Sequence, residues 1–199
     1  MLLGGTSFFD RKEVRDLLAY FKLFNRPQDE TSLLRIINTP ARGIGQQTVQ
    51  NLLAQSVQEH RPLWTVLEEA SQGRGNLTPQ TASAIGEFLR LFEGFRVRAK
   101  KGTSLSRVMM DLIEAIGYEQ EVLRNSKAPN EQQTRWNSVQ QVVNALANYD
   151  ETAKRPSLAG FLDDVALDPK DIPGDKSKKL QRDAVVLMTL HSAKGLEFP

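Results

Sequence analysis

The chain has 199 residues, with 26 Lys and Arg against 24 Asp and Glu, a formal net charge of +2 and no cysteine. The length suits one domain of ~100–200 residues, and the 40% hydrophobic content excludes wholesale disorder. Disulfide scaffolds and thiolate chemistry are excluded, and two histidines, His60 and His191, are too few for a typical zinc site. No apolar stretch approaches the ~20 residues of a membrane span, and residues 1–4 are too short for a signal peptide. We therefore expect a cytoplasmic protein with no membrane partner.

Apolar residues at helical spacing predict helices along most of the chain. The first is expected to begin at Asp10, a cap with Glu13 three residues later, and to end before Pro27. A short second helix is closed by Pro40, and a third begins after Gly45. The near-balanced charge of the whole chain indicates no partner by itself.

Four further helices are predicted, and the first of them has the clearest start. Thr78 is expected to cap it, with Pro79 at the tolerated first position, and the others surround Leu105, Trp136 and Leu158. The pattern predicts an all-α fold packed helix on helix. The larger side chains that we assign to core faces include Val57, Phe95, Met109, Met110 and Trp136.

The C-terminal part of the sequence has a different character. Residues 168–183 are polar and predict a linker, and residues 184–190 form a β-branched apolar run that predicts a strand buried in a parallel sheet. A lone strand is unstable, so we expect both ends of the chain to belong to a sheet whose other strands lie elsewhere. The predicted units are remnants of another domain at 1–9 and 184–199, a helical unit at 10–167 and a linker at 168–183.

The first candidate site is the turn between the second and third predicted helices. Gly43 and Gly45 flank Ile44, which can point into the core, and a phosphate can approach glycine backbone closely. The following helix offers unpaired N–H groups and a positive dipole end, while Arg42 adds charge and Thr48 a hydroxyl. We interpret this as a helix-hairpin-helix element that grips the DNA backbone without reading sequence. An ordinary glycine-containing turn is the alternative.

The second candidate site follows the predicted strand, at the edge where ligands bind in open α/β sheets. His191 could contact a nucleic-acid strand, Lys194 and Gly195 a phosphate, and Glu197 a ribose or a polar neighbour. A surface histidine beside a lysine is the alternative. The G-x-x-x-x-G-K-[ST] pattern of a phosphate-binding P-loop does not occur in the sequence.

Three segments together resemble the UvrD/Rep/PcrA family of superfamily 1 DNA helicases, and its Rep-like bacterial members in particular. They are GGTSFFDRKEVRDLLAY at 4–20, LRIINTPARGIG at 34–45, and residues 188–199, which are similar to helicase motif V. The resemblance implies that this chain is the helical 2B subdomain, flanked by remnants of the RecA-like α/β motor domain into which it is inserted.

The same resemblance implies functions. The parent would be an ATP-driven 3′-to-5′ DNA helicase whose P-loop, Mg²⁺ ligands and arginine fingers lie in sequence not present here, so we expect no ATPase activity from this chain alone. The turn of Gly43, Ile44 and Gly45 would contact the duplex backbone, whereas Arg42 and Thr48 rest on the physical argument above. In motif V, Thr189 and His191 would lie near the single strand, and Gly195 and Glu197 near ATP in the intact parent.

Two kinds of partner follow for this region. One is DNA, with the 2B subdomain swivelling to regulate unwinding. The alternative is a module that docks a replication, repair or transcription protein, because long apolar stripes leave room for an exposed patch. We expect the isolated chain to be monomeric, without a bound cofactor or metal.

Overall fold

The computed structural model describes residues 8–167. Helix α1 (Lys12–Asn25) lies at the centre of this part, and ten of its 14 residues are buried. A helix that is buried on nearly all sides must be surrounded by other elements. Helices α2 (Glu30–Ile36), α5 (Pro79–Lys100), α8 (Pro129–Thr152) and α9 (Leu158–Leu167) pack around it, together with a short 3₁₀ helix (Phe8–Asp10).

The remaining helices extend this arrangement on two sides. Helix α3 (Gln46–Glu59) packs on α4 (Leu63–Ser71), which packs on α5. Helix α6 (Leu105–Ala115) lies against α5 and α8, and α7 (Tyr118–Arg124) lies against α6 and α8. All regular secondary structure described within residues 8–167 is helical, which confirms the predicted all-α class. None of these helices has both the length and the apolar character needed to cross a membrane.

Phenylalanine rings join the central helices into one core. Phe24 of α1 lies 5.0 Å from Phe92 of α5 between ring centroids, and Phe21 lies 6.4 Å from Phe161 of α9. All four side chains are at most 1% exposed. Buried aromatic pairs of this kind stabilise a fold beyond the area they remove from water.

Two carboxylates are buried beside this apolar core. Asp16 accepts hydrogen bonds from Lys12 at 2.8 Å, from Arg35 of α2 at 2.8 Å and from the Tyr118 hydroxyl of α7 at 2.9 Å. Glu13 forms an ion pair with Arg135 of α8 at 3.2 Å. Because a buried charge is costly unless it is paired, these contacts fix how α2, α7 and α8 sit on α1.

The predicted helix starts have mixed outcomes. The Thr78 cap is confirmed, since its hydroxyl accepts the Thr81 N–H at 3.2 Å. The Asp10 cap is wrong, because residues 8–10 form their own 3₁₀ turn and the first helix begins at Lys12 after Arg11. Helices α4 and α7 were not predicted, and α8 begins at Pro129, seven residues before Trp136.

The core assignments are correct for some side chains and wrong for two. Met109 is fully buried, but its neighbour Met110 is 43% exposed because it lies one position further round α6. Val57 is 67% exposed, and the only buried residues of α3 are Leu52 and Ser56. The linker, the predicted strand and the motif V-like segment lie outside the described residues.

Candidate nucleic-acid interface

The turn between α2 and α3 is anchored on the side that faces the core and is exposed on the side that faces solvent. Ile44 is 0% exposed, as the sequence predicted, while Gly43 and Gly45 on either side are exposed. Gly43 has φ +82°, a left-handed conformation that favours glycine. The side-chain oxygen of Asn38 accepts the backbone N–H of Arg42 at 2.9 Å and so holds the entrance to the turn.

Only one of the two glycines, Gly43, is favoured by its backbone conformation. Gly45 has φ −66° and ψ 155°, an extended conformation open to any residue, so its backbone shape does not require glycine. A Cβ atom built at either Gly43 or Gly45 would meet nothing within 4 Å. The space above both residues is therefore free for an incoming ligand group.

Helix α3 begins directly after this turn with unused donors. Gly45 caps it without a side-chain hydrogen bond, and the first amide to find an acceptor is that of Val49, which donates to the Gly45 carbonyl at 3.1 Å. The N–H groups of Gln46, Gln47 and Thr48 have no acceptor within residues 8–167, and the first turn contains no acidic side chain. Three free donors and the positive dipole end of a 14-residue helix form an electropositive surface.

Arg42 turns back towards the fold. Its Nη2 donates to the Tyr20 hydroxyl at 2.7 Å and to the Thr39 carbonyl at 3.1 Å, and its Nε donates to the Pro40 carbonyl at 3.2 Å. The guanidinium also lies 4.8 Å from the centroid of the Phe88 ring, in cation–π geometry. The sequence predicted an added charge at the anion site, and the structure shows that protein acceptors already engage much of this group.

Tyr20 is the site residue that sequence reasoning missed. It is 0% exposed in α1, and its hydroxyl donates to the Thr39 carbonyl at 2.9 Å while accepting from Arg42. Burial raises the pKa of Tyr20, against the opposing effect of the Arg42 charge. The only sequence signal was a tyrosine in an apolar stripe, since a buried phenol usually needs a hydrogen-bond partner.

The exposed side chains in the first turns of α3 are neutral and polar. Gln46, Gln47, Gln50 and Asn51 are exposed, and the helix contains no Lys or Arg. Thr48 is half-buried in the first turn. Contact with an anion here would therefore depend on backbone amides and neutral donors rather than on a basic patch.

The basic residues near the end of α5 are occupied elsewhere. Arg98 forms a short ion pair with Asp111, and Arg96 forms one with Glu93 at 2.7 Å. Helix α5 ends at Lys100, so these cations lie in its final turns, where they complement the helix dipole.

The second candidate site lies outside the described residues. This applies to its predicted strand contacts, Thr189 and His191, and to its predicted nucleotide contacts, Gly195 and Glu197. Within residues 8–167, no group of three or more His, Cys, Asp and Glu side chains is placed to hold a metal ion.

Comparison with known proteins decides the family. The sequence matches the UvrD-like helicase C-terminal domain over residues 1–199. The chain belongs to this family. It is 35% identical over 206 residues to ATP-dependent DNA helicase Rep of Salmonella typhimurium. It is also 33% identical over 204 residues to DNA helicase II of Escherichia coli and 28% identical over 200 residues to PcrA of Bacillus subtilis.

These alignments cover nearly all of the UvrD-like chain but little of its relatives. They include 98% of this chain and 29% of Rep, and 100% of this chain with 27% of DNA helicase II. The share of PcrA is 26%. The chain thus spans between a quarter and a third of the curated relatives that it matches.

Proposed function

We propose that this chain is the 2B-type regulatory region of an ATP-dependent 3′-to-5′ DNA helicase and that it contacts duplex DNA through the turn before α3. Family membership and relatives named as DNA helicases support the general role. The observation that carries the specific contact is the start of α3, where three amides have no acceptor within residues 8–167 and follow two glycines that have open space above them.

In this proposal a backbone phosphate sits over the turn. Its oxygens accept hydrogen bonds from the amides at 46–48, and the absence of side chains at Gly43 and Gly45 lets it come close. Ile44 is buried in the core and holds the turn in place when DNA is bound. Base edges are not read, because all of these contacts are to the phosphate. A grip by neutral donors is also compatible with the net charge of +2.

Arg42 and Thr48 support this contact in different ways. The Thr48 hydroxyl adds a donor in the first turn of α3. Arg42 contributes mainly by fixing the turn, since its guanidinium donates to Tyr20, Thr39 and Pro40.

The other sequence-based assignments remain part of the proposal for the intact parent. Thr189 and His191 would contact the single strand, and Gly195 and Glu197 would lie near ATP and its Mg²⁺. The parent would act in the cytoplasm, with the helical unit at 10–167 between two remnants of its motor domain. Within residues 8–167 we assign no residue to ATP or Mg²⁺.

The test is a fluorescence-anisotropy titration of labelled duplex and forked DNA at several salt concentrations. We expect binding that weakens linearly in a log–log plot against salt. Gly45→Ala adds one methyl group above the turn, where the fold has room for it, and should weaken binding about tenfold. Gly94→Ala is the matched control, because Gly94 is exposed within α5 and also has open space around it.

Two results would contradict the proposal. One is the same affinity for Gly45→Ala and the unsubstituted chain. The other is unchanged anisotropy for both duplex and fork at low salt and high protein concentration.

A further inference from the structure

Helices α6 and α8 pack side by side and leave an apolar groove of about 700 Å³ between them. Ile113 and Val139 form its buried floor, and Trp136 and Val143 are half-buried beside them. Met110 stands on one wall with 43% of its surface exposed. The groove shares no residue with the turn before α3, so a ligand can occupy it whether or not DNA is bound at that turn.

The spacing of the lining residues matches a helix as occupant. On α6, Met110 and Ile113 are three residues apart, and Gly117 lies beyond the end of that helix; on α8, Trp136, Val139 and Val143 are spaced by three and four. The stripe on α8 is about two helical turns long, or ~11 Å at 1.5 Å per residue, and the stripe on α6 is about one turn long. Two adjacent helices that each present an apolar stripe offer the ridges and grooves into which a third helix packs.

The rim of the groove is negatively charged. Glu114 and Glu119 line it and are exposed, and no Lys or Arg is among the lining residues. Neither carboxylate has an ion-pair or hydrogen-bond partner within the part of the chain that the structure describes. Other carboxylates are paired, such as Glu69 with Arg61 at 2.5 Å. Unpaired negative charge beside an apolar surface repels a phosphate backbone and attracts a cationic peptide.

We propose that this groove binds an amphipathic helix of a protein partner. The helix presents apolar side chains at positions i, i+3 or i+4, and i+7 to the groove, and it carries Lys or Arg where it passes Glu114 and Glu119. This is the helix-in-groove mode of peptide recognition, in which apolar anchors give affinity and rim charges give orientation.

Trp136 provides a direct signal for occupancy. The chain contains two tryptophans, Trp64 and Trp136. Trp64 lies in α4 with its ring 4.7 Å from that of Phe92, so Trp64→Phe keeps an aromatic ring there and leaves Trp136 as the single reporter. A helix inserted into the groove removes water from Trp136 and shifts its fluorescence to shorter wavelength.

The experiment titrates the full chain carrying Trp64→Phe with three 14-residue peptides. The first has leucines at i, i+3, i+4 and i+7 with lysines between them; the second replaces the lysines by glutamates; the third scrambles the first. We expect the first peptide to bind at micromolar concentration with a blue shift. The second and third should bind at least tenfold more weakly.

Substitutions then locate the binding. Met110→Lys should weaken the lysine peptide at least tenfold, and the exposure of Met110 means that the fold tolerates the change. The double variant Glu114→Gln, Glu119→Gln should weaken it about fivefold and flatten its salt dependence. Val57→Lys is the control, since Val57 is exposed on α3, outside the groove, and should leave binding unchanged.

Several outcomes would overturn the proposal. These are equal binding of the lysine and glutamate peptides, unchanged binding to Met110→Lys, and no fluorescence shift with any peptide. Sedimentation equilibrium provides a further contradicting result. If the chain forms a concentration-dependent dimer that Met110→Lys dissociates, the occupant of the groove is a second copy of this chain and not a partner helix.

Discussion

Arg42 and Tyr20 join the exposed turn before α3 to the most buried helix of the fold. The Nη2 atom of Arg42 lies 2.7 Å from the Tyr20 hydroxyl, and both groups donate to the Thr39 carbonyl, at 3.1 Å and 2.9 Å. Tyr20 is fully buried in α1, whereas Gly43, one residue beyond Arg42, is exposed. The position of the proposed DNA contact is thus set by a hydrogen-bonded triangle beneath it.

Removing one hydroxyl from this triangle should destabilise the fold. Tyr20→Phe deletes a buried group that both accepts from Arg42 and donates to Thr39, and we expect a loss of about 1–3 kcal/mol in the free energy of unfolding. Urea unfolding followed by circular dichroism measures it. Tyr149→Phe is the control: the Tyr149 hydroxyl makes no hydrogen bond within residues 8–167, so a change below about 0.5 kcal/mol is expected. Equal losses for the two variants would contradict this role of Tyr20.

The salt dependence of duplex affinity shows whether Arg42 fixes the turn or contacts a phosphate directly. Arg42→Met keeps an apolar stem near Phe88 but removes the guanidinium, so the turn should loosen and duplex affinity should fall several-fold. If Arg42 only fixes the turn, the slope of log affinity against log salt stays unchanged. A slope that becomes shallower by about 0.9 would instead indicate a direct phosphate contact. Anisotropy titrations between low and moderate salt distinguish these two results.

Local patterns in the sequence were sufficient to predict the turn itself. The exposed Gly43 and Gly45 and the buried Ile44 follow from a short motif between two apolar stripes, because conformation and burial there depend on neighbouring residues. The inward turn of Arg42 could not be predicted, since it depends on Tyr20 and Phe88, which come from distant parts of the chain. Met110 was assigned to the core together with Met109, although it lies one position further round α6.

Two helices were missed for a related reason. Helix α4 follows Pro62 and α7 follows Gly117, and neither N-cap residue makes a side-chain cap hydrogen bond that would leave a sequence signature. The apolar groove was beyond prediction as well, because it exists only where α6 and α8 meet. Sequence periodicity identifies the apolar face of a helix, but the packing of the other helices decides how much of that face is covered.

Acid should weaken the ion pair between Arg98 and Asp111, which joins α5 to α6. A hydrogen bond from Arg98 lowers the pKa of Asp111 below its ordinary value, against desolvation and with help from Arg107. Because the folded pKa lies below the unfolded value of about 3.9, this stabilisation is complete above pH 4 and is lost as the pH falls through the folded pKa.

The matched variant isolates that effect. Asp111→Asn should lower the urea midpoint at pH 6 but reduce its further fall between pH 4 and pH 2. Asp164→Asn serves as the control, because Asp164 is exposed on α9 and has no ion-pair partner among the described residues. If Asp111→Asn and the unsubstituted chain lose stability in parallel below pH 4, the pair does not contribute as proposed.

Two helical glycines should respond in opposite directions to alanine. A Cβ atom at Gly160 would collide with the hydroxyl of Tyr149, which is itself buried against Phe161, so Gly160→Ala should cost about 1–3 kcal/mol. Gly94 has open space around it, and Gly94→Ala should stabilise α5 by about 0.5–1 kcal/mol. Thermal unfolding of both variants checks the signs. Destabilisation by Gly94→Ala, or stabilisation by Gly160→Ala, would contradict this account of the packing.

The buried carboxylate of Asp16 has a practical consequence for any attempt to separate two activities by mutation. It accepts hydrogen bonds from Arg35 of α2, the helix that leads into the glycine turn, and from Tyr118 of α7, the helix whose first turn lines the apolar groove. Asp16 therefore supports both the glycine turn and the apolar groove, and a substitution of Asp16 would impair both surfaces together. Variants meant to abolish one activity and spare the other should be chosen at the periphery, at Gly45 for one and Met110 for the other.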